Sequence, residues 1–506
     1  MKKRFAFLAA TAMMAGLLCL QSGTAMAEES TKDSITIGCE AEPYSLSPVE
    51  SAGAPSARIR RLIAEGLFEI NEAGEYVPLL ATSWEWEDDT TLIFHLREGV
   101  TFSDGTAFTA DDVIWTINNS LGRGGILDNY LDTAEKTDDY TVKITFKTAN
   151  SLCFDKFESQ FFPITNQAAY EADGNEFAYN LIGTGPYVLE DWTTGESLTL
   201  KRNENYWGDP AKIENVTFQF ITEASQRTIE METLGTDLDV SVNAGDLDYF
   251  EGDDFNVTSA AGQFMVELYY NMSDVRKSPV QDLKVRQAIA YALDTDSLLQ
   301  TYYNGIGEAP STNINPAYAN VYEPGEGTLY AYDIDKAKAL MEEAGYADGF
   351  KLVCLSDETQ QYQDLTEILQ AALAPLNIEV EILIRNSTTW YDTVLGKEEW
   401  DLCWFSLGDQ SPVWAFMHFL GDGEHFGMPD YTCYRNDTFT EALTKASQTN
   451  DNDELKELFK TMNECMVEDL PMYSIYVPQE LSVAASGLQN YEYRHGMLNV
   501  EEMYFN

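Results

Sequence analysis

Apolar and polar side chains alternate along two short stretches near residue 90. Trp84 and Trp86 alternate with glutamates, and Leu92 and Phe94 alternate with their neighbours in the same way. A period of two is typical of strands with one buried face. The turn residues at 88–90 lie between the two stretches. The pattern therefore predicts a β-hairpin.

A helix start follows this hairpin. Residues 103–106 read as a turn, and Thr109 is then predicted to cap a helix, with Asp112 at the third position of a capping box. Val113 and Ile117 begin the apolar face of that helix. None of these residues is in a pattern associated with a reaction.

A β-α-β unit is predicted between residues 352 and 384. Residues 352–355 form an apolar strand, a helix with leucine and isoleucine at helical spacing stops at Pro375, and residues 378–384 alternate as a second strand. Such a crossover requires parallel pairing and is typical of an α/β domain. Apolar strands are also predicted at 264–271 and 473–477, and a helix at 453–469.

Several of these segments resemble one family closely. The matching words are Ser83-Trp84, Phe94 to Arg97, Gly99, Phe102, Asp104 to Thr106, Phe108, Ala110 to Val113, Gly183 to Tyr187 and Val285 to Ile289. They are similar to the solute-binding proteins of peptide ABC transporters, the dipeptide- and oligopeptide-binding class known as family 5. The likeness extends over nearly the whole chain after residue 27.

The resemblance implies an α/β fold of the two-lobed periplasmic-binding-protein-like type (type II, cluster C), with an additional small domain in the first lobe. It places hinged crossings near Asn271 and Pro478. The implied division is a signal peptide at 1–27, the first lobe at 28–75 and 181–270, a small subdomain at 76–180, the second lobe at 271–478, and a return segment at 479–506.

The chain is long and strongly acidic. Its 506 residues exceed one ordinary hydrophobic core, and 44% of them are apolar, so several packed domains are expected. The formal net charge of −53 argues against binding to nucleic acid or to an anionic membrane. A preference for cationic ligands is a second interpretation of the same charge.

The first 27 residues have the pattern of a secretory signal. Lys2, Lys3 and Arg4 precede an apolar stretch, and Ala25-Met26-Ala27 fits a cleavage site. We therefore expect an extracytoplasmic protein in the periplasm or cell envelope, cleaved near Ala27. Lipid anchoring at Cys19 is the alternative.

Cysteines and histidines indicate no metal site. Six cysteines remain after residue 27, and they allow fifteen disulfide pairings. Cys354 in a strand pattern and Cys465 on an apolar helix face favour buried free thiols. His418 and His425 lie near acidic residues, but their spacing fits no zinc pattern. We expect neither a metal nor a cofactor.

The strongest candidate for ligand binding is the segment 400–414. An apolar, aromatic strand ends there at Gly408-Asp409, where a carboxylate can meet a cation at the edge of a cleft. An ordinary turn aspartate is the alternative interpretation. By the resemblance, Asp409 matches the residue that binds a peptide α-ammonium group, the backbone of Phe405, Ser406 and Leu407 matches the segment that pairs with an extended peptide, and Gly53, Ala54 and Pro55 match the opposite edge.

The chain departs from the family pattern at two places. Ser406 and Leu407 stand where members often carry tryptophan, and Trp404 is the possible substitute. Gln361, Gln363 and Asp364 stand where dipeptide binders carry an arginine for the ligand carboxylate. These departures favour longer peptides, or a different solute, over dipeptides.

The predicted function is that of a binding protein rather than an enzyme, since no G-x-S-x-G or H-E-x-x-H motif is present. We expect a monomer that captures peptides and delivers them to the membrane permease of an ABC importer, with no nucleic-acid partner. One alternative is transport of an oligosaccharide stacked on Trp404 and Trp414. A second alternative, from a different class, is a secreted hydrolase.

Overall fold

The computed structural model describes most of the chain after residue 31. The described residues are 32–48, 54–71, 75–120, 131–147, 154, 157–158, 162–173, 179–262, 264–316, 318, 321–325, 328–358, 360–407, 412–419, 430–449, 451–491, 493–494 and 497–506. The predicted signal segment and Cys19 lie outside this part of the chain.

The described residues contain strands in six sheets. In chain order they are β1 (Ser34–Cys39), β2 (Phe68–Ile70), β3 (Tyr76–Pro78), β4 (Ala81–Asp88), β5 (Thr91–Leu96), β6 (Leu131–Asp138), β7 (Thr141–Phe146), β8 (Tyr187–Thr193), β9 (Ser197–Arg202), β10 (Asn215–Phe220), β11 (Leu238–Asp239), β12 (Phe255–Ala261), β13 (Met265–Tyr270), β14 (Phe350–Ser356), β15 (Ile378–Ile384), β16 (Leu402–Leu407), β17 (Met472–Tyr476), β18 (Gln479–Ala485), β19 (Leu488–Gln489), β20 (Tyr493–Arg494), β21 (Met497–Leu498) and β22 (Tyr504–Phe505).

Helices surround these sheets. The α-helices of the described residues are α1 (Ala54–Ile63), α2 (Ala110–Ser120), α3 (Gln167–Asp173), α4 (Ala224–Glu232), α5 (Leu283–Ala292), α6 (Thr295–Tyr302), α7 (Ile334–Glu343), α8 (Gln360–Leu373), α9 (Ser387–Gly396), α10 (Pro412–Met417), α11 (Asp437–Ala446) and α12 (Asn452–Asp469). Short 3₁₀ turns occupy Ala244–Phe250, Pro279–Gln281, Ala374–Leu376 and Val500–Glu502.

The first lobe is built on a seven-stranded sheet with the order β12-β18-β11-β1-β10-β9-β8. β1 lies inside this sheet, parallel to β10 and β11. Its alternate residues Ile35 and Ile37 are buried in a core that also receives Leu62 and Ile63 from α1. Burial of this apolar surface is the main term that holds helix and sheet together.

A separate four-stranded antiparallel sheet, β4-β5-β7-β6, confirms the predicted hairpin. Trp84 and Trp86 pack half-buried against its core, while the glutamates between them are exposed. The predicted capping box is also confirmed, because the Asp112 carboxylate accepts a hydrogen bond of 3.0 Å from the backbone amide of Thr109. This sheet forms the small domain beside the first lobe.

The second lobe contains a five-stranded sheet with the order β15-β14-β16-β13-β17. β14 and β15 pair in parallel over their full length, as the β-α-β pattern predicts. One face of the sheet packs against a core that includes helices α5, α7 and α8, and the other against a core that includes α10, α11 and α12. Cys354 and Cys465 are buried free thiols, as predicted.

The chain passes between the two lobes at two adjacent points. The Gly262 amide donates to the carbonyl of Pro478 at 2.9 Å, so the crossing between β12 and β13 lies beside the crossing between β17 and β18. The prediction of a crossing near Asn271 is therefore wrong by one strand, because β13 pairs with β16 and β17 in the second lobe. Asn271 is fully buried, and its side chain donates to the carbonyls of Lys397 and Trp400.

The last residues return to the first lobe. β18 pairs with β11 and β12 in the seven-stranded sheet, and β19 pairs with β22 at the end of the chain. Arg61 on α1 binds this return segment through an ion pair of 2.9 Å with Glu501. The first lobe is thus built from both ends of the chain, with the second lobe inserted between them.

Candidate functional site

Among the described residues, one backbone edge of β16 carries no neighbouring strand at the end that approaches the crossings. β13 pairs with β16 along its whole length, from Tyr270 opposite Leu402 to Met265 opposite Leu407. On the other side, β14 pairs with β16 only as far as Leu355 opposite Cys403. Within the described part of the chain, residues 404–407 therefore have no strand on that side. An exposed edge of this kind is a ready template for an added strand.

The two faces of this edge differ chemically. Ser406 points to the α8 side of the sheet, where its hydroxyl accepts a hydrogen bond of 2.7 Å from the Tyr362 hydroxyl. Burial raises the pKa of Tyr362 to about 12, so this phenol stays neutral. Phe405 points to the opposite side and stacks on Tyr269 with ring centres 4.9 Å apart. The edge is thus held in place from both sides.

A neutral hydrogen-bonding cluster lies at the start of α8. The Gln361 amide donates to the Tyr476 hydroxyl at 2.7 Å, and the hydroxyls of Tyr476 and Tyr303 lie 2.5 Å apart. Burial is the main cause that raises the pKa of Tyr476 far above its ordinary value. The sequence carries no arginine at this position, and the structure has an uncharged cluster of hydroxyl and amide groups there.

On the first lobe, α1 begins at the predicted segment. Ala54 and Pro55 are its first two residues. Proline suits this position because backbone amides in the first turn have no acceptor within the helix, so the missing N–H costs nothing. One turn later, the Arg58 guanidinium lies 3.3 Å from Glu40, which directly follows β1. The carboxyl end of β1 and the start of α1 therefore form one surface with a charged pair.

Only some of the other predicted site residues lie in the described part of the chain. Asp409 and Gly53 lie outside the described residues, as does the side chain of Trp414. Trp404 is only 1% exposed, and its indole donates to the Thr366 hydroxyl at 3.0 Å inside the core. It therefore offers no ring face to a ligand, because alternate residues of β16 point into the α8 core.

Sequence reasoning missed Glu267 as a candidate residue. This carboxyl lies on β13 and is 3% exposed, and burial raises its pKa to about 8 against a smaller lowering by Tyr269. A single acidic residue in the otherwise apolar stretch 264–270 was the available signal. Such a residue in a buried strand needs a partner or a function.

The described residues contain no grouping of three or more histidine, cysteine, aspartate or glutamate side chains able to hold a metal ion. In the same part of the chain, no helix is both long enough and apolar enough to cross a bilayer. The chemistry visible at the site is hydrogen bonding, aromatic contact and charge.

Comparison with known proteins places this architecture among binding proteins. The chain is 26% identical over 499 residues to the glutathione-binding protein GsiB of Escherichia coli O157:H7, with 94% of this chain and 95% of that protein covered. HbpA2 from Haemophilus parasuis has a similar structure, with a TM-score of 0.83, 21% identity and coverage of 94% and 100%. A dipeptide-binding protein from Pseudoalteromonas sp. SM9913, solved with Met-Leu, gives a TM-score of 0.75 at 21% identity and the same coverage.

These structures share the two-lobed α/β fold described above. The model for bacterial extracellular solute-binding proteins, family 5 Middle, matches residues 75–427. That span includes the small four-stranded sheet, five of the seven strands of the first-lobe sheet and the strand β16 with its open edge. The chain belongs to the bacterial extracellular solute-binding proteins of family 5.

Proposed function

We propose that this protein captures peptides between its two lobes and delivers them to the membrane permease of an ABC importer. The observation that carries the proposal is the open edge of β16 at residues 404–407. A peptide added there would bind through its main chain, which every peptide shares. Side-chain pockets would then set only the preference among sequences.

The charges of the chain support a ligand with a free amino group. The formal charge of −53 attracts cations, and Asp409 lies two residues after the open edge in sequence. As part of the proposal, Asp409 binds the α-ammonium group, and Gly53, Ala54 and Pro55 contact the opposite side of the peptide. The neutral cluster of Gln361 and Tyr476 favours peptides whose C-terminal carboxylate lies elsewhere.

The likeness to binding proteins of glutathione and of a dipeptide supports a peptide as the solute. The oligosaccharide alternative loses one of its two stacking residues, because Trp404 is buried. The relatives are named as binding proteins, which supports a carrier without a reaction of its own over the secreted hydrolase. The proposal also includes a monomer, cleaved near Ala27, that acts outside the cytoplasm.

Calorimetric titration of Asp409→Asn tests the amine anchor. An ammonium group in a closed cleft has lost water and needs a charged partner. Removing that partner should weaken binding of a free peptide by about 30-fold to several thousand-fold. N-acetylation of the peptide should weaken wild type similarly and the variant much less. Equal binding of the free peptide by wild type and Asp409→Asn would refute the anchor.

A further inference from the structure

The open edge of β16 lies between two helices. β14 leads into α8 on one face of the sheet, and β15 leads into α9 on the opposite face. Because β14 and β15 run parallel to β16, both helices begin at the end of the sheet where the open edge lies. A strand added to residues 404–407 would therefore continue the line of β14 between the first turns of α8 and α9.

The wall formed by α8 is polar. Tyr362, in the first turn of α8, donates a hydrogen bond of 2.7 Å to the Ser406 hydroxyl, and both residues are half-buried. A hydroxyl that accepts one hydrogen bond still has its own O–H to donate. Gln361, beside Tyr362 in the chain, is exposed and adds an uncharged amide to this wall. On this face, a hydrogen-bond donor thus lies next to the backbone of the open edge.

The wall formed by α9 is aromatic. Trp390, in the first turn of α9, has its ring centre 5.2 Å from that of Phe405, and both residues are half-buried. Two buried rings support Phe405, since Tyr269 stacks on it at 4.9 Å and Tyr431 lies 4.7 Å away. The accessible parts of Trp390 and Phe405 therefore form an aromatic surface beside the open edge, held in place by the rings behind it.

The geometry of a β-sheet divides the side chains of an added strand between these two walls. Residues directly opposite each other on neighbouring strands point to the same face, and successive residues of one strand point to opposite faces. The peptide residue opposite Phe405 would therefore point to the α9 wall, and its neighbour opposite Ser406 would point to the α8 wall. This division is the same for a peptide that runs parallel or antiparallel to β16.

We propose that the open edge selects peptides by two adjacent side chains of opposite chemistry. An aromatic side chain packs on Trp390 and Phe405, because aromatic rings gain from offset and edge-to-face contacts with one another. The neighbouring side chain carries an oxygen that accepts a hydrogen bond from Ser406. An apolar side chain there would leave this hydroxyl without a partner in a closed cleft. The inference rests on the proposed peptide-binding function and adds the class of peptide to it.

A positional series of tetra-alanine peptides tests the two preferences separately. Each position in turn carries phenylalanine or leucine, and threonine or its isostere valine. In calorimetric titration of wild type, one position should favour phenylalanine over leucine by about 2- to 10-fold, which is the gain of a ring pair beyond its buried area. An adjacent position should favour threonine over valine by about 2- to 10-fold, which is the net gain of one hydrogen bond.

Two variants should each remove one preference. Trp390→Leu keeps apolar packing and should lose only the preference for phenylalanine, and Phe405→Leu provides the same comparison if that variant does not fold. Ser406→Ala removes the hydroxyl, leaves the rings in place and should lose only the preference for threonine. The preference that each variant retains shows that its site is intact. Tyr332→Leu, which removes an exposed ring of the second lobe outside both walls, is the matched control and should keep both preferences.

The outcomes separate this inference from the proposed function. The inference is overturned if peptides bind wild type without these two preferences at adjacent positions. Preferences two positions apart would also overturn it, because such residues point to the same face of a strand. The same holds if both preferences persist in Trp390→Leu and in Ser406→Ala. If no peptide of the series binds wild type, the proposed peptide function fails, and this inference fails with it.

Discussion

At the scale of single residues, buried acids are the most informative groups in this chain. Glu65, two residues after the end of α1, accepts hydrogen bonds from Thr184, Tyr206 and Trp207 at 2.9, 2.8 and 2.7 Å. These three bonds lower its pKa, yet burial outweighs them and raises the pKa from 4.5 to about 7. Glu65 is therefore a structural acid whose hydrogen bonds are satisfied.

This shift predicts a pH dependence of stability. Because the folded state holds the proton of Glu65 more tightly, its stabilising contribution is complete below pH 4.5 and is lost as pH rises through about 7. Relative to Glu65→Gln, the unfolding free energy of wild type should fall by about 3 kcal/mol over that range. Urea denaturation at several pH values measures the difference.

The exposed residue Glu190 provides the control. The difference in unfolding free energy between Glu190→Gln and wild type should stay constant over the same pH range. If the difference in unfolding free energy between wild type and Glu65→Gln is also independent of pH, burial does not dominate the environment of Glu65.

At the scale of elements, the sequence predicts local structure well and the pairing of distant strands poorly. The hairpin β4-β5 and the unit β14-α8-β15 follow from periodicity, because their partners are near in sequence. β13 is apolar at nearly every position, so it fits the interior of the seven-stranded or the five-stranded sheet. It lies in the five-stranded sheet because it pairs with β16, which is more than 130 residues later in the chain.

The same reason limits prediction of the site. The segment 404–407 is recognisable as a strand, but its open edge arises only because the pairing with β14 stops at Cys403. The burial of Trp404 depends on which face of the sheet receives α8. Neither fact is encoded in the local pattern of residues.

Replacing Asn271 tests the corrected position of the crossing. Its buried amide makes two donor bonds, and its carbonyl oxygen accepts from the amide and hydroxyl of Ser273. Asn271→Ala should therefore cost about 2–4 kcal/mol of stability, measured by urea denaturation, and leave peptide affinity unchanged. A changed affinity with unchanged stability would instead support a hinge at this residue.

At the scale of the whole molecule, two adjacent crossings permit one lobe to rotate against the other. The contact between Gly262 and Pro478 holds the crossings together, and a Cβ added at Gly262 would lie 2.9 Å from the Pro478 carbonyl oxygen. The lobes also contact each other away from the crossings, where the Asn304 amide donates to the Ala244 carbonyl at 3.1 Å. Closure about this region would enclose a ligand between the lobes.

Solution scattering tests closure directly. A tight peptide ligand should reduce the radius of gyration, because both lobes then contact the same molecule. The unbound protein, freed of co-purifying ligand by unfolding and refolding, is the reference. Superimposable scattering curves with and without a saturating peptide would contradict the hinged cleft.

Hydrogen exchange at β16 tests the central claim that a peptide binds by adding a strand to the open edge. Within residues 404–407, amides that point toward β13 are already paired, while those that point to the open edge have no strand partner among the described residues and should exchange with solvent. A bound peptide should slow exchange of the open-edge amides, and an oligosaccharide should not. Peptide binding that is measurable by calorimetry, with unchanged exchange across residues 404–407, would contradict the account.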